Sequence, residues 1–474
     1  MENEIRDLIV IGGGPAGIEA SLAAGLIGKR VTLIERSPVI GGALTNTGTL
    51  PSKTLRETAL TLSGVRARRL EVDLTLRGEA SVADFMRHER TVSSTERDRL
   101  TGIMRDLGVE VVIGSGRFLD PHTLAVVSAE SAEGTPRLLS GKTIVIATGS
   151  APVRPAVFPF EHPRIYDSDE ILSLEGMPRS LAVIGAGVIG SEYACTFAAL
   201  GVKVQVIDGR RVLLPFLDAE ISRALADAMM ANGIRFVWDS RVTGCHAPVT
   251  GDIRLTLNSG ESLEVDSVLV AAGRSSNSET LNLQAAGITP AERGFLKVDS
   301  RFRTEVPHIY AVGDVIGFPA LASTSMEQAR IAIVDAFSFS VKKEIASLLP
   351  TGIFTIPEVS SVGATEEDLQ KRGEDYVVGK ALYRNNSRGT IIGDRQGFLK
   401  LLFRRSDMKL LGVHVIGEIA TEIVHIGMIT ILCGGGATEL NKACFNIPTL
   451  GDLYKIATYR AQITRDHPEL LSGR

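Results

Sequence analysis

The sequence predicts an α/β chain built from two copies of one strand–glycine turn–helix–strand unit and closed by a smaller α+β domain. Two observations carry that reading. The segments Asp7–Glu35 and Leu181–Asp208 share one order of elements, and past residue 350 the texture changes to alternating strands. Length agrees, since 474 residues predict roughly two to four domains with ample core.

In the first unit, Asp7-Leu-Ile-Val-Ile11 reads as a buried strand, followed by Gly12-Gly-Gly14-Pro-Ala-Gly17, an apolar helix to about Gly28, and a strand Arg30-Val-Thr-Leu-Ile34 that ends on Glu35. Gly12 permits the tight turn, Gly14 lets backbone approach a pyrophosphate, and Gly17 allows close helix-to-strand packing, while the helix N-terminus offers unpaired N–H groups to the anion. Glu35 lies 18 residues after Gly17, the offset expected for an acid that accepts ribose hydroxyls. The second unit repeats the device with Leu181-Ala-Val-Ile184, then Gly185-Ala-Gly187-Val-Ile-Gly190, a helix to about Leu200, and Lys203-Val-Gln-Val-Ile207 ending on Asp208. Two Rossmann-like sites imply two nucleotides, or one nucleotide and a flavin.

Composition narrows the function classes. Lys and Arg number 51 against 55 Asp and Glu, a net charge of −4 without a basic run, which argues against nucleic acid or an anionic membrane as partner. Apolar runs such as Val268–Ala272 fall far short of the roughly 20 residues that span a bilayer. The acidic start Met1-Glu-Asn-Glu-Ile-Arg6 lacks the basic head and apolar centre of a secretory signal, so the expected location is the cytoplasm. The four cysteines, Cys195, Cys245, Cys433 and Cys444, have no metal or disulfide spacing and are expected to be buried apolar thiols, with no metal site.

Between the units, Ala83 to Leu107 reads as an amphipathic helix through Phe85, Leu100, Ile103, Met104 and Leu107, and Val109–Ile113 as a strand. Thr143–Gly149 and Glu264–Gly273 each read as a buried strand meeting a glycine turn. Phe398–Phe403 and Lys409–Ile416, joined by polar Arg404-Arg-Ser-Asp407, predict a hairpin, and the helix Thr421–Cys433 should stop at Gly434-Gly-Gly436.

On the fingerprint with Glu35, Gly41-Gly42 with Leu50-Pro-Ser-Lys53, Ala147-Thr-Gly149, the second fingerprint, Ala272-Gly-Arg274 and Ile309-Tyr-Ala-Val-Gly-Asp314, the chain resembles the flavin-dependent disulfide reductases along nearly its whole length. The resemblance implies an FAD-binding domain over 1–150 and 275–348, an NAD(P)-binding domain over 151–274, and a C-terminal dimerisation domain over 349–474, hence a homodimer or higher homo-oligomer. The family's redox chemistry, however, is missing. Its two cysteines would fall at Leu44 and Thr49, and the histidine before Pro-Thr and the glutamate behind it are here Ile447 and Asp452. Leucine and threonine can neither be oxidised to a disulfide nor attack one.

Within the family this double loss resembles the soluble, Si-specific pyridine nucleotide transhydrogenases, which pass hydride between NADPH and NAD through FAD. Further likeness lies in Pro350–Glu358 and Gly313–Ala322, although some members keep the first cysteine. The resemblance implies that Lys53 and Glu192 form a catalytic ion pair beside the flavin. It implies FAD binding by Gly12, Gly14, Gly17, Glu35, Arg36, Gly42, Gly116, Thr148, Gly149, Ser150, Asp314, Leu321 and Ala322. For NAD(P), it implies Gly185, Gly187, Val188, Gly190, Asp208, Arg210, Arg211, Gly273 and Arg274. Asp208 is placed for the ribose diol of NAD, and Arg210 with Arg211 for a 2′-phosphate. Val188 either eases nicotinamide exchange or simply packs, and Thr49 either bonds the flavin or fills space. Two other functions fit the same residues: a reductase of quinones or other small acceptors, and a nucleotide-binding scaffold, against which an intact Lys53 and Glu192 argue.

Overall fold

Hydrophobic β-branched runs without alternation need cover on both faces, and each forms the centre of a parallel sheet. The computed structural model describes residues 5–70, 82–128, 135–339, 348–467 and 469; the acidic start Met1–Glu4 lies outside them. Among the described residues, Arg6–Ile11 is flanked in parallel by Val31–Glu35 and Arg137–Ile146. Glu110–Ile113 extends the sheet beyond Val31–Glu35, and Ile309–Ala311 returns from far along the chain to pair with Arg137–Ile146. Thr123–Val127 and Ser115–Asp120 add an antiparallel extension to the same sheet.

The second unit forms a parallel sheet in the order Arg235–Val237, Lys203–Ile207, Ser180–Ile184, Ser267–Val270, Ile165–Asp167. Against expectation, Glu264–Gly273 is not one strand. Ser262–Val265 pairs antiparallel with Ile253–Leu257, and Ser267–Val270 runs in the parallel sheet. Asp266 makes the break: its N–H donates to Ser180 Oγ (2.9 Å) and its carboxylate accepts from Arg179 N (3.0 Å), so the chain leaves one sheet and joins the other there. The expected amphipathic helix spans Val82–Asp106 and buries Phe85, Leu100 and Met104. The C-terminal sheet is antiparallel, with Phe398–Arg404 and Leu410–Ile416 as its central hairpin. The helix beside it, Ala420–Leu432, ends before Gly434 at φ +66°.

A buried charge cluster bolts the second unit to the C-terminal sheet. Lys400 Nζ, 1% exposed, reaches Asp218 Oδ1 at 2.8 Å and Glu220 Oε2 at 3.1 Å, and also bonds Glu366. Asp218 caps the helix Ala219–Ala231 by accepting from Glu220 N. Burial pushes the Asp218 carboxyl up, but the Lys400 hydrogen bond, the neighbouring positive charge and the Glu366 N–H together outweigh it and hold the group below its ordinary 3.8. Burial likewise pulls Lys400 down, and its carboxylate partners override that and raise it above its ordinary 10.5. The depressed carboxyl stabilises the fold above pH 3.8 and loses that contribution as pH falls below it, whereas the raised ammonium contributes fully below pH 10.5 and loses it above. Opposite Lys400, burial depresses His414, which stays neutral at pH 7 and adds no competing charge.

Removing one partner of such a cluster leaves uncompensated buried charge, a loss of roughly 3–5 kcal/mol. Lys400→Met is therefore expected to lower stability by about that amount between pH 5 and 9. Urea unfolding followed by fluorescence of the sole tryptophan, Trp238, checks it; an unchanged midpoint would show that the cluster is not a strut.

Candidate active site

The two fingerprints fold alike because the same atoms would collide. A Cβ on Gly12 (φ +103°) would stand 2.4 Å from Ala147 O, and one on Gly17 would stand 1.8 Å from Gly12 O. In the second unit, a Cβ on Gly185 (φ +107°) would meet Ala271 O at 2.5 Å, and one on Gly190 would meet Gly185 O at 2.0 Å. The middle glycines differ: Gly14 has nothing nearer than Gly42 Cα at 3.9 Å, and Gly187 has nothing within 4 Å. Helices Pro15–Leu26 and Val188–Ala199 begin just after them with no side chain bonding their first N–H groups. Open space in front of an uncapped helix start suits a pyrophosphate.

Both starts border one cavity of about 1380 Å³. Its wall includes Gly12, Gly14, Glu35, Arg36, Gly42, Lys53 and Gly116, then Thr148, Gly149, Ser150, Asp314, Leu321 and Ala322 from the first unit's side. From the second side come Gly187, Val188, Glu192, Gly273 and Arg274. Gly17, Gly185 and Gly190 are internal packing positions, and Asp208, Arg210 and Arg211 lie beyond the wall. Thr49 lines the cavity at the start of helix Thr49–Leu62, whereas Leu44 packs against the apolar core of the first unit.

Lys53 Nζ and Glu192 Oε2 are 2.6 Å apart, joining helix Thr49–Leu62 to helix Val188–Ala199. The other carboxylate oxygen accepts from Phe354 N at 2.9 Å, and the Phe354 ring sits 5.0 Å from Lys53 Nζ. Sequence reasoning noted the stretch around Phe354 only as a likeness and missed this role. Ser150 Oγ donates to Asp314 Oδ2 (2.8 Å) and accepts from Arg274 Nε (2.8 Å), so Arg274 binds the two sides together. Asn277, also missed, donates through Nδ2 to Thr148 O and through N to Gly149 O. Helix Ala322–Ala336 opens on Leu321 without a side-chain cap.

Glu35 accepts from Gly13 N (2.6 Å) and Ser37 N (2.7 Å). Asp208 accepts the matching bond from Ala186 N (2.7 Å). Arg210 and Arg211, the arginines expected to take a 2′-phosphate, are paired within the chain: Arg210 lies on Asp208 with Nη2–Oδ2 at 2.8 Å, and Arg211 on Asp239.

The cysteines need one correction. Cys195 is buried, and burial pushes its thiol up to about 12, but Cys433 and Cys444 are exposed and Cys245 half-buried. Cys433 ends a helix whose Ile429 and Leu432 also face solvent, and Cys444 precedes the exposed Ile447, so no apolar layer of this chain covers them. All four are free, and none lines the cavity.

Residues 6–333 match the family model described as pyridine nucleotide-disulphide oxidoreductase, and residues 349–457 match that family's dimerisation domain. The chain belongs to the pyridine nucleotide-disulphide oxidoreductases, whose cofactor is FAD and whose substrate is NAD(P)H. It is 44% identical over 452 residues to the soluble pyridine nucleotide transhydrogenase of Mycobacterium tuberculosis (strain ATCC 25177 / H37Ra), covering 95% of this chain and 96% of that one. It is 40% identical over 454 residues to the protein of the same name from Klebsiella pneumoniae subsp. pneumoniae, covering 95% and 97%. Among solved structures, it is similar to LpdA from Mycobacterium tuberculosis (TM-score 0.88, 27% identity, 96% and 99% covered). It is also similar to the HOCl-induced flavoprotein disulfide reductase RclA from Escherichia coli (TM-score 0.86, 26%, 96% and 99%). Among the described residues, no helix is long and apolar enough to cross a membrane.

The cavity fits FAD. Beyond its two uncapped helix starts, its wall holds Thr148, whose buried hydroxyl oxygen has no hydrogen-bond partner among the described residues. Polar atoms buried without a partner are rare in folded proteins, and a bound polar group satisfies one. Gly187→Val separates ligand approach from folding, because the new side chain meets open space. The variant is expected to keep its flavin and thermal midpoint and to lose nicotinamide-nucleotide binding, read by calorimetry; a drop in midpoint like that of Gly190→Ala would refute the distinction.

Proposed function

We propose that this chain passes hydride between NADPH and NAD, with FAD as the only redox group and no disulfide. Residues 1–150 and 275–348 would hold FAD, residues 151–274 the nicotinamide nucleotides, and residues 349–474 would join two copies, a role supported by the exposed Ile429, Leu432 and Ile447. The observation that carries the reading is one cavity wall containing both nucleotide turns and the Lys53–Glu192 pair, with Leu44 and Thr49 in the places a disulfide needs.

FAD, when bound, supplies a ring that takes up two electrons as hydride and gives them back. The start of helix Pro15–Leu26 would bind its pyrophosphate, and Glu35, with lone pairs still free, its ribose. Asp314, oriented by Ser150 and through it by Arg274, would accept hydrogen bonds from the cofactor's polyol, and the start of helix Ala322–Ala336 would favour negative charge at the ring's edge. Lys53 would stabilise negative charge arriving at this wall, while Glu192 holds that ammonium in place and Phe354 N keeps Glu192 aimed. Reduced and oxidised nicotinamide nucleotides would take turns at the second turn, Gly185–Gly190, in ping-pong order. Donor and acceptor couples are nearly isoenergetic, so the site contributes orientation rather than driving force.

Purified FAD-loaded enzyme given NADPH and an NAD analogue with a shifted absorbance should turn over. Reduction of a quinone with no nucleotide-to-nucleotide rate would contradict the proposal. Lys53→Met should retain FAD and slow flavin reduction about a hundredfold in stopped flow, and an unchanged rate would remove Lys53 from the chemistry.

A further inference from the structure

The adenosine end of the second unit differs from that of the first in one respect: its acid has no lone pair to spare. A carboxylate offers about four acceptor positions. Glu35 uses two of them within the chain, and Arg36 beside it makes no ion pair among the described residues. Asp208 uses all four. Oδ1 accepts from Arg210 N (2.8 Å) and Arg210 Nε (2.9 Å), and Oδ2 accepts from Ala186 N (2.7 Å) and Arg210 Nη2 (2.8 Å). A ribose diol finds no acceptor there until Arg210 leaves. Leaving is easy, because the Arg210 side chain is 51% exposed and a half-exposed pair is worth little.

With Arg210 on Asp208 and Arg211 on Asp239, a third guanidinium stands uncommitted. Arg241 lies against the same loop: its Nε is 3.1 Å, and its Nη2 3.8 Å, from where a Cβ on Gly209 would be. Arg241 is exposed and makes no ion pair among the described residues. Its backbone is fixed on both sides, since Arg241 N donates to Asn258 Oδ1 (2.9 Å), Asn258 N donates to Arg241 O (2.9 Å), and Ser240 N donates to Asp208 O (3.1 Å). A planar guanidinium on a tethered backbone beside the ribose acid is suited to a phosphate.

We propose that Arg241 reads the 2′-phosphate of NADPH, and that Arg210 is an internal counter-ion that masks Asp208 when the phosphate is present and yields it to the ribose diol of NAD when the phosphate is absent. This rests on the proposed reading that both nucleotides use the second turn. Masking cancels the repulsion an ionised Asp208 would exert on the phosphate; unmasking restores two acceptor positions for the diol. One site thereby accepts both nucleotides by the movement of one exposed side chain.

The test is calorimetric titration of the oxidised, FAD-loaded enzyme with NADP and with NAD. Arg241→Gln should weaken NADP about tenfold and leave NAD within about twofold. Arg210→Gln should weaken NADP and tighten NAD about threefold each, and in an Asp208→Asn background it should no longer change NADP. Equal effects of Arg241→Gln on both nucleotides, or none, would overturn the assignment of Arg241. A loss of NADP on Arg210→Gln that persists without Asp208 would show Arg210 holding the phosphate itself and overturn the counter-ion. Failure of the unaltered enzyme to bind one of the two nucleotides would instead overturn the transhydrogenase reading, and the inference with it.

Discussion

Three distant parts of the chain converge on one carboxylate. Glu192, on the helix of the second unit, accepts from Lys53 of the first and from the backbone of Phe354 at the edge of the C-terminal sheet. With both oxygens engaged and the side chain 8% exposed, Glu192 has little freedom, so the Lys53 ammonium is aimed by a group that all three parts hold. A charge fixed before the reaction need not reorganise during it, which is the condition for electrostatic stabilisation of arriving electrons. On the proposed role of Lys53, the relative position of the two nucleotide units is tied to the chemistry, and the Lys400 cluster fastens the same second unit to the C-terminal sheet from another side.

The duplicated fingerprint shows how one backbone solution serves two ligands. In each copy the first and third glycines are demanded by backbone oxygens less than 3 Å from any added Cβ, and the second by the open space in front of it. In each copy the terminal acid receives the N–H of the residue after the first glycine, Gly13 onto Glu35 and Ala186 onto Asp208. The copies part company only at the next residues: Arg36 leaves Glu35 open, whereas Arg210 closes over Asp208. A resident cofactor needs one permanently available acid; a site visited by two nucleotides gains from one that can be covered.

Those glycines were legible because their spacing is dictated by local sterics that leave no substitute. The strands around them were legible because runs such as Leu8–Ile11 are apolar on both faces. Lys53 and Glu192 stand 139 residues apart, and only resemblance to a known family, not residue pattern, brought them together. Phe354, Asn277 and Arg241 escaped notice because what singles them out is backbone donation or proximity between segments distant in the chain, Asn277 to Thr148 and Arg241 to Gly209, which side-chain identity does not encode. Reading Glu264–Gly273 as a single strand failed for the same reason, since the bond that breaks it comes from Ser180 in another strand. Cys433 and Cys444 were misplaced, unlike the buried Cys195, because burial was inferred from residue type, and these two are exposed.

With Leu44 and Thr49 in place of sulfur and no cysteine on the cavity wall, the proposed mechanism makes the flavin the sole electron store. Anaerobic reductive titration of the purified holoenzyme tests that claim most directly. Complete reduction is expected to consume one two-electron equivalent per FAD, with no change in free thiol count. A second equivalent taken up with the appearance of new thiols would contradict it.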